Sequence, residues 1–187
     1  MNTRPHHQRP GFTLVELLTV ITIIVILAGL TVTALTWMPR MAHTKKAVAQ
    51  KELLDSAMFR YHADTGVYPV ALDGTGLAMY YVLYGDGVGP DGIRGTADDG
   101  PVDGRPDDGA TVYLEQLNPA TNPLGLLDGP PGAVPTRLVD PFGNAWHYGG
   151  GRENWPLMNN RNFDIHSPGP DGVGTPTNPG PDDIHNW

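Results

Sequence analysis

The chain of 187 residues contains no cysteine. A disulfide framework, a thiolate nucleophile and a thiolate metal site are all excluded by that, and the compartment has to be read from targeting signals instead. Basic residues are also few: 12 Lys and Arg stand against 20 Asp and Glu, without a basic cluster. The counterion release that drives nucleic-acid binding is therefore missing, and no nucleic-acid partner is expected. Catalytic signatures are absent as well. There is no His-Glu-x-x-His, no Gly-x-Ser-x-Gly, no P-loop and no Gly-x-Gly-x-x-Gly opening a helix after a strand. His6 and His7 stand in the first ten residues, and His43, His62, His147, His166 and His185 show no paired ligand spacing. His166 reads as a surface or packing residue, and an enzyme is not expected.

What is present begins with "RPGFTLVELLTVITIIVILAGLTVTAL". From Phe12 to Leu35 the only ionisable residue is Glu16. These positions span about 36 Å as a helix, enough for a tilted bilayer crossing. Arg4 and Arg9, with no acid before Gly11, put positive charge on the leading flank, which should stay cytoplasmic while the rest is exported. A secretory signal peptide would have a shorter apolar region and a small-residue cleavage site, which Ala28-Gly29-Leu30 imitates only weakly. An ordinary anchor explains the length and leaves Glu16 unexplained, since a charge deep in a spanning helix costs about 3 kcal/mol.

After Pro39 the polarity changes. Ala47, Leu54, Met58 and Tyr61 recur at spacings that mark one apolar helical face, with Lys45, Lys46, Lys51, Glu52, Asp55 and Arg60 over much of the remainder. Gly66 should end this helix. Most of the 24 glycines and 19 prolines follow Tyr61, so the later region should be rich in turns. Residues 86–109 form an acidic insertion in which Asp86, Asp91, Asp98, Asp99, Asp103, Asp107 and Asp108 face only Arg94 and Arg105. Composition alone favours disorder there.

Two acidic stretches share a pattern. "GVGPDGIRGTADDG" and the terminal "SPGPDGVGTPTNPGPDDIHNW" both contain Gly-Pro-Asp-Gly, then Gly-Thr, then Asp-Asp. Ca²⁺ needs six to eight oxygens, which carboxylates and main-chain carbonyls of a Gly-turned loop can bring to one centre. Asp171, Asp182 and Asp183 supply the carboxylates in the terminal copy, and Asp91, Asp98 and Asp99 are their counterparts in the internal one. Gly-Pro-Asp-Gly is equally a good turn without metal, and EF-hand spacing is absent from both. Asp103, Asp107 and Asp108 read as excess charge.

The run Gly11-Phe12-Thr13-Leu14-Val15-Glu16-Leu17-Leu18 resembles the class III processing site of type IV pilins and type II secretion pseudopilins. The resemblance implies that a prepilin peptidase cuts after Gly11 and methylates the new amine of Phe12, and that Glu16 meets the cationic terminus of a neighbouring subunit during assembly. "YHADTGVYP", from Tyr61, and "VDPFGNAWHYGG", from Val139, resemble stretches of the major pseudopilin of type II secretion, and by that analogy residues 76–84 are a helix. The terminal loop is similar to that protein's calcium loop, which implies Ca²⁺ on Asp171 and Asp183, with Asp182 and the Pro168 carbonyl as further ligands. Many members carry a proline where this chain has Thr33, so where the helix loosens is left open.

The expected fold is α+β and type IV pilin-like: a long N-terminal helix packed on a small antiparallel sheet, "RNFDIHS" pairing with the strand that "VDPFGNAWHYGG" leads into, and a loop-rich C-terminal region. The expected organisation is a leader at 1–11, a membrane and filament-core helix at 12–36 and a periplasmic head at 37–187, with a calcium-type loop at 167–187. The implied partners are further copies of the chain, minor pseudopilins, prepilin peptidase, an inner-membrane assembly platform with its ATPase, and the membrane before assembly. The expected place is the inner membrane, single-pass, N-terminus cytoplasmic and head periplasmic. A type IV pilin for adhesion, motility or DNA uptake, and a membrane-tethered calcium-binding domain that never polymerises, are the alternatives.

Overall fold

The structure is a computed structural model that describes residues 12–71, 74–150 and 163–187, and within 31–39 the backbone alone. The expected leader with Gly11 lies outside the described residues. The chain divides into two units, Met1–Met41 and Ala42–Trp187. Helix α1, Leu14–Thr65, contributes to both. It runs through Pro39, whose missing N–H removes one i→i−4 bond from the ladder. In the first unit every large apolar side chain from Phe12 to Leu30 is exposed, on all sides of the helix. Thr19 and Thr22 hydroxyls donate to the carbonyls of Val15 and Leu18, both at 2.8 Å, so their polar groups are satisfied on the preceding turn. No helix of the described residues is long and apolar enough to cross a membrane. The crossing expected over 12–36 extends into 31–36, whose side chains lie outside the description.

In the second unit the apolar stripe of α1 becomes core. Ala47, Leu54, Met58 and Tyr61 are buried, as their spacing predicts. The helix ends at Gly66, whose N–H donates to the His62 carbonyl at 2.8 Å. Helix α2, Leu77–Tyr84, buries Ala78, Met79, Tyr80, Val82, Leu83 and Tyr84. A three-stranded antiparallel sheet in the order β1-β2-β3 completes the core: β1 His147–Gly150, β2 Phe163–Ser167 and β3 Ile184–His185. Trp146, Tyr148, Phe163 and Ile165 are buried in it. This α+β arrangement is consistent with the pilin-like fold expected from the sequence.

Asn186 ties the end of the sheet to α1. Its side-chain nitrogen donates to Asp55 Oδ1 at 3.2 Å, and its oxygen accepts the Ile165 N–H at 3.0 Å. Burial raises Asp55 above the usual carboxylate range, against the pull of Lys51 one turn earlier.

The acidic insertion is folded, contrary to what its composition favours. It buries Val88 in the hydrophobic core, and the rest of its order comes from carboxylates that collect backbone donors. Asp86, fully buried, accepts the Tyr80 hydroxyl at 2.7 Å and the N–H groups of Asp103 and Gly104 at 3.0 Å each. Asp107 Oδ2 accepts the N–H groups of Val88, Gly89 and Gly100 at 2.9, 3.2 and 3.2 Å. Asp107, read from the sequence as excess charge, is therefore a structural acceptor.

Candidate functional site

Two places carry the residues singled out by the sequence. The first is the start of α1. Thr13 and Glu16 stand three residues apart with the types of a reciprocal cap, and they form one. The Thr13 N–H and hydroxyl donate to Glu16 Oε2 at 2.9 and 2.8 Å, and the Glu16 N–H donates back to Thr13 Oγ1 at 3.3 Å. The carboxylate also lies at the positive end of the helix dipole. Glu16 is thus not a bare charge in the single chain, a local answer that sequence reasoning missed although Thr-x-x-Glu is the signal for it. Phe12, which precedes this cap, is exposed.

The second place is the terminal loop, which departs from β2 and returns as β3. Its first residues are pinned by the turn at Asp140. Asp140 Oδ1 accepts the N–H groups of Phe142 and Asn144 at 2.8 Å each, and its Oδ2 accepts the Ser167 hydroxyl at 2.6 Å. Ser167 Oγ in turn accepts the Gly169 N–H at 3.1 Å, and Asn144 Nδ2 donates to the Gly169 carbonyl at 2.8 Å. Gly169–Asp171 is a short 3₁₀ turn with Pro168 at its N-cap. Gly169 has φ 64°, and a Cβ there would stand on the Asp182 carbonyl oxygen; only glycine lets the two ends of the loop approach so closely.

The loop gathers Asp171, Asp182 and Asp183 so that one carboxylate oxygen from each lies within 4.8 Å of the others. Asp171 Oδ1 accepts the Val173 N–H at 2.7 Å. Asp183 Oδ2 accepts the Gly180 N–H at 2.9 Å and bonds His166 Nε2 at 2.6 Å. Oδ1 of Asp182 and Oδ1 of Asp183 are buried without a hydrogen-bond partner. A buried polar atom left unpaired costs on the order of 1–3 kcal/mol, more when charged, and here the unpaired oxygens belong to like charges brought together. Gly174 lets the chain pass against Asp183: a Cβ at its φ of 149° would collide with Oδ2 of that carboxylate. Such an all-oxygen donor set, with two orphaned oxygens facing no donor, fits a hard divalent cation, and further oxygens would come from main chain and water.

The internal copy repeats the backbone and not the vacancy in its bonding. Asp91 Oδ1 accepts the Ile93 N–H at 2.7 Å, as Asp171 does from Val173. Gly89 has φ 58°, and a Cβ on it would meet the Asp98 carbonyl oxygen, as at Gly169 and Asp182. Here the carboxylates find protein donors. Asp98 accepts the Thr96 hydroxyl at 2.6 Å and the Asp91 N–H at 3.2 Å; Asp99 accepts the Gly95 N–H at 2.7 Å. Among the described residues only Asp171, Asp182 and Asp183 form a metal-capable group.

Of the two readings of His166, surface or packing, burial excludes the first: its side chain is 1% exposed, and it also bonds Asp183. Its neighbours across the sheet are His147 on β1 and His185 on β3. Burial, then the adjacent His166, lowers His147 below the ordinary imidazole range. Trp187 stacks on His185 with ring centroids 4.4 Å apart.

The prokaryotic N-terminal methylation motif, as a sequence family, matches residues 7–32, which include Gly11, Phe12 and Glu16. No curated protein matches the chain. The matched motif is a type IV pilin-like class III signal, which implies processing by prepilin peptidase and filament assembly in general. It supports a type IV pilin-like or pseudopilin-type structural protein and does not separate the two kinds.

Proposed function

We propose that this protein is a structural subunit of a type II secretion pseudopilus. Cleavage after Gly11 frees the amine of Phe12, and the apolar helix over 12–36 holds the subunit in the inner membrane, head outside, until it joins the filament. Its exposed apolar side chains from Phe12 to Leu30 are then covered by the same helices of neighbouring copies, as they must be by lipid beforehand. One oxygen of Glu16 serves its own cap, and the other is available to the cationic terminus of a neighbour. An ion pair in a low dielectric is strong when its partner is present, so alignment of two copies is favoured over misalignment. Extension of the filament would move cargo outward, driven by a partner ATPase.

The terminal loop is proposed to hold Ca²⁺ on Asp171, Asp182 and Asp183, with the Pro168 carbonyl as a further donor. The cation would supply positive charge and link loop order to metal binding. The observation that carries the choice of a secretion pseudopilin over a pilin is the convergence of these three carboxylates, with two orphaned oxygens, in a chain bearing the methylation motif.

Deletion of the gene tests this. The expected result is that extracellular proteins accumulate in the periplasm, while mass spectrometry of the wild-type product finds an N-methylated Phe12 at the start. Normal secretion together with lost adhesion, motility or DNA uptake would make the chain a type IV pilin. An uncut leader would leave only the tethered-domain reading.

A further inference from the structure

We infer that His166 is the positioning residue of the cation site, holding the Asp183 carboxylate so that one oxygen faces the metal; this rests on the calcium reading above. Asp183 has two oxygens with different surroundings. Oδ2 takes His166 Nε2 at 2.6 Å and the Gly180 N–H at 2.9 Å, and Oδ1 has no partner. A carboxylate with both donors on the same oxygen has its rotation fixed, and the oxygen left over, in a carboxylate that belongs to the three-aspartate cluster, is the one with lone pairs to give a cation.

The imidazole is suited to this by its own constraints. A carboxylate only accepts hydrogen bonds, so Nε2 must carry the proton at this contact. Nδ1 is buried without a partner, so Nε2 makes the ring's one hydrogen bond. His166 therefore acts as an Nε2–H donor at this contact. The ring is held in place: its side chain is 1% exposed, its strand is fixed on both edges by β1 and β3, and Trp187 lies nearly parallel to it with ring centroids 6.1 Å apart. The sheet thus aims the ring, the ring orients Asp183, and the loop need only bring Asp171 and Asp182 to it.

The test uses the full chain in detergent, titrated with Ca²⁺ by calorimetry and with Tb³⁺ by luminescence, whose lifetimes in H₂O and D₂O count the waters on the ion. Two variants are compared. His166→Phe keeps the ring volume and removes the donor; His166→Gln keeps an N–H donor. The expected result is a Ca²⁺ affinity lowered 10- to 100-fold in His166→Phe, as for other lost partners of metal ligands. About one more water should sit on Tb³⁺ in that variant, as Asp183 turns away. His166→Gln should recover most of both. Unchanged affinity and hydration in His166→Phe, or equal losses in both variants, would overturn the positioning role while calcium binding stood. No uptake of either ion by the wild-type chain would overturn the calcium reading and this inference with it.

Discussion

Glu16 has two partners to choose between, and the distinction can be tested at this one residue. In the single chain the carboxylate is bound by Thr13; in the proposed filament it meets a neighbour's amine. Glu16→Ala removes both interactions, while Thr13→Val removes the hydroxyl half of the cap and leaves the charge. Helix-cap losses are typically about 1 kcal/mol and act on the helix end alone. If the intermolecular pair matters, Glu16→Ala should be processed normally and enter filaments several-fold less, and Thr13→Val should enter them as well as wild type. Quantitative immunoblotting of sheared filaments against the membrane pool checks this. Equal defects in both variants would mean that the cap is the function of Glu16.

At the scale of elements, the acidic insertion stands on the buried Asp86 and the half-buried Asp107 more than on apolar contacts. Asp86→Ala deletes the acceptor for three donors, one of them a tyrosine hydroxyl that burial and this same carboxylate hold protonated. Hydrogen bonds to charged groups are worth about 1.5–3 kcal/mol each, so the variant should lose at least about 4.5 kcal/mol. Amide exchange should rise across 86–109 and stay unchanged at Ala47 and Leu54; a uniform rise would show that the insertion is not a separate dependency. The same comparison shows what was legible in the sequence. Ala47, Leu54, Met58 and Tyr61 declared their helix face because helical burial has a period, and β1 and β2 were expected from the resemblance of "VDPFGNAWHYGG" and the stretch after it to the pseudopilin pattern. Asp171, Asp182 and Asp183 were found as a pattern, and the structure brings them together. The roles of Asp86, Asp107, Asp140 and His166 were not visible. Each depends on a partner distant in sequence or on which oxygen of a carboxylate is occupied, and neither leaves a periodic trace.

Across the whole molecule, one loop design occurs twice with opposite needs. The internal copy satisfies Asp98 and Asp99 from Thr96, Asp91 and Gly95, whereas the terminal copy leaves carboxylate oxygens open. Chelation should therefore act on one and not the other. With calcium at 100 times its dissociation constant, linkage stabilises by about 2.7 kcal/mol, and a chelator should remove that. The expected outcome is a lower melting temperature and faster exchange over 168–187, with 86–109 unchanged; matched responses of both loops would count against a single metal-dependent copy. The cap at the start of α1 has a consequence of its own. A subunit waiting alone already has one oxygen of its acid satisfied by its own chain, so joining a filament would add a partner to the other oxygen and not rescue a stranded ion. A subunit left in the membrane would then be stored at little electrostatic penalty until the motor draws on it.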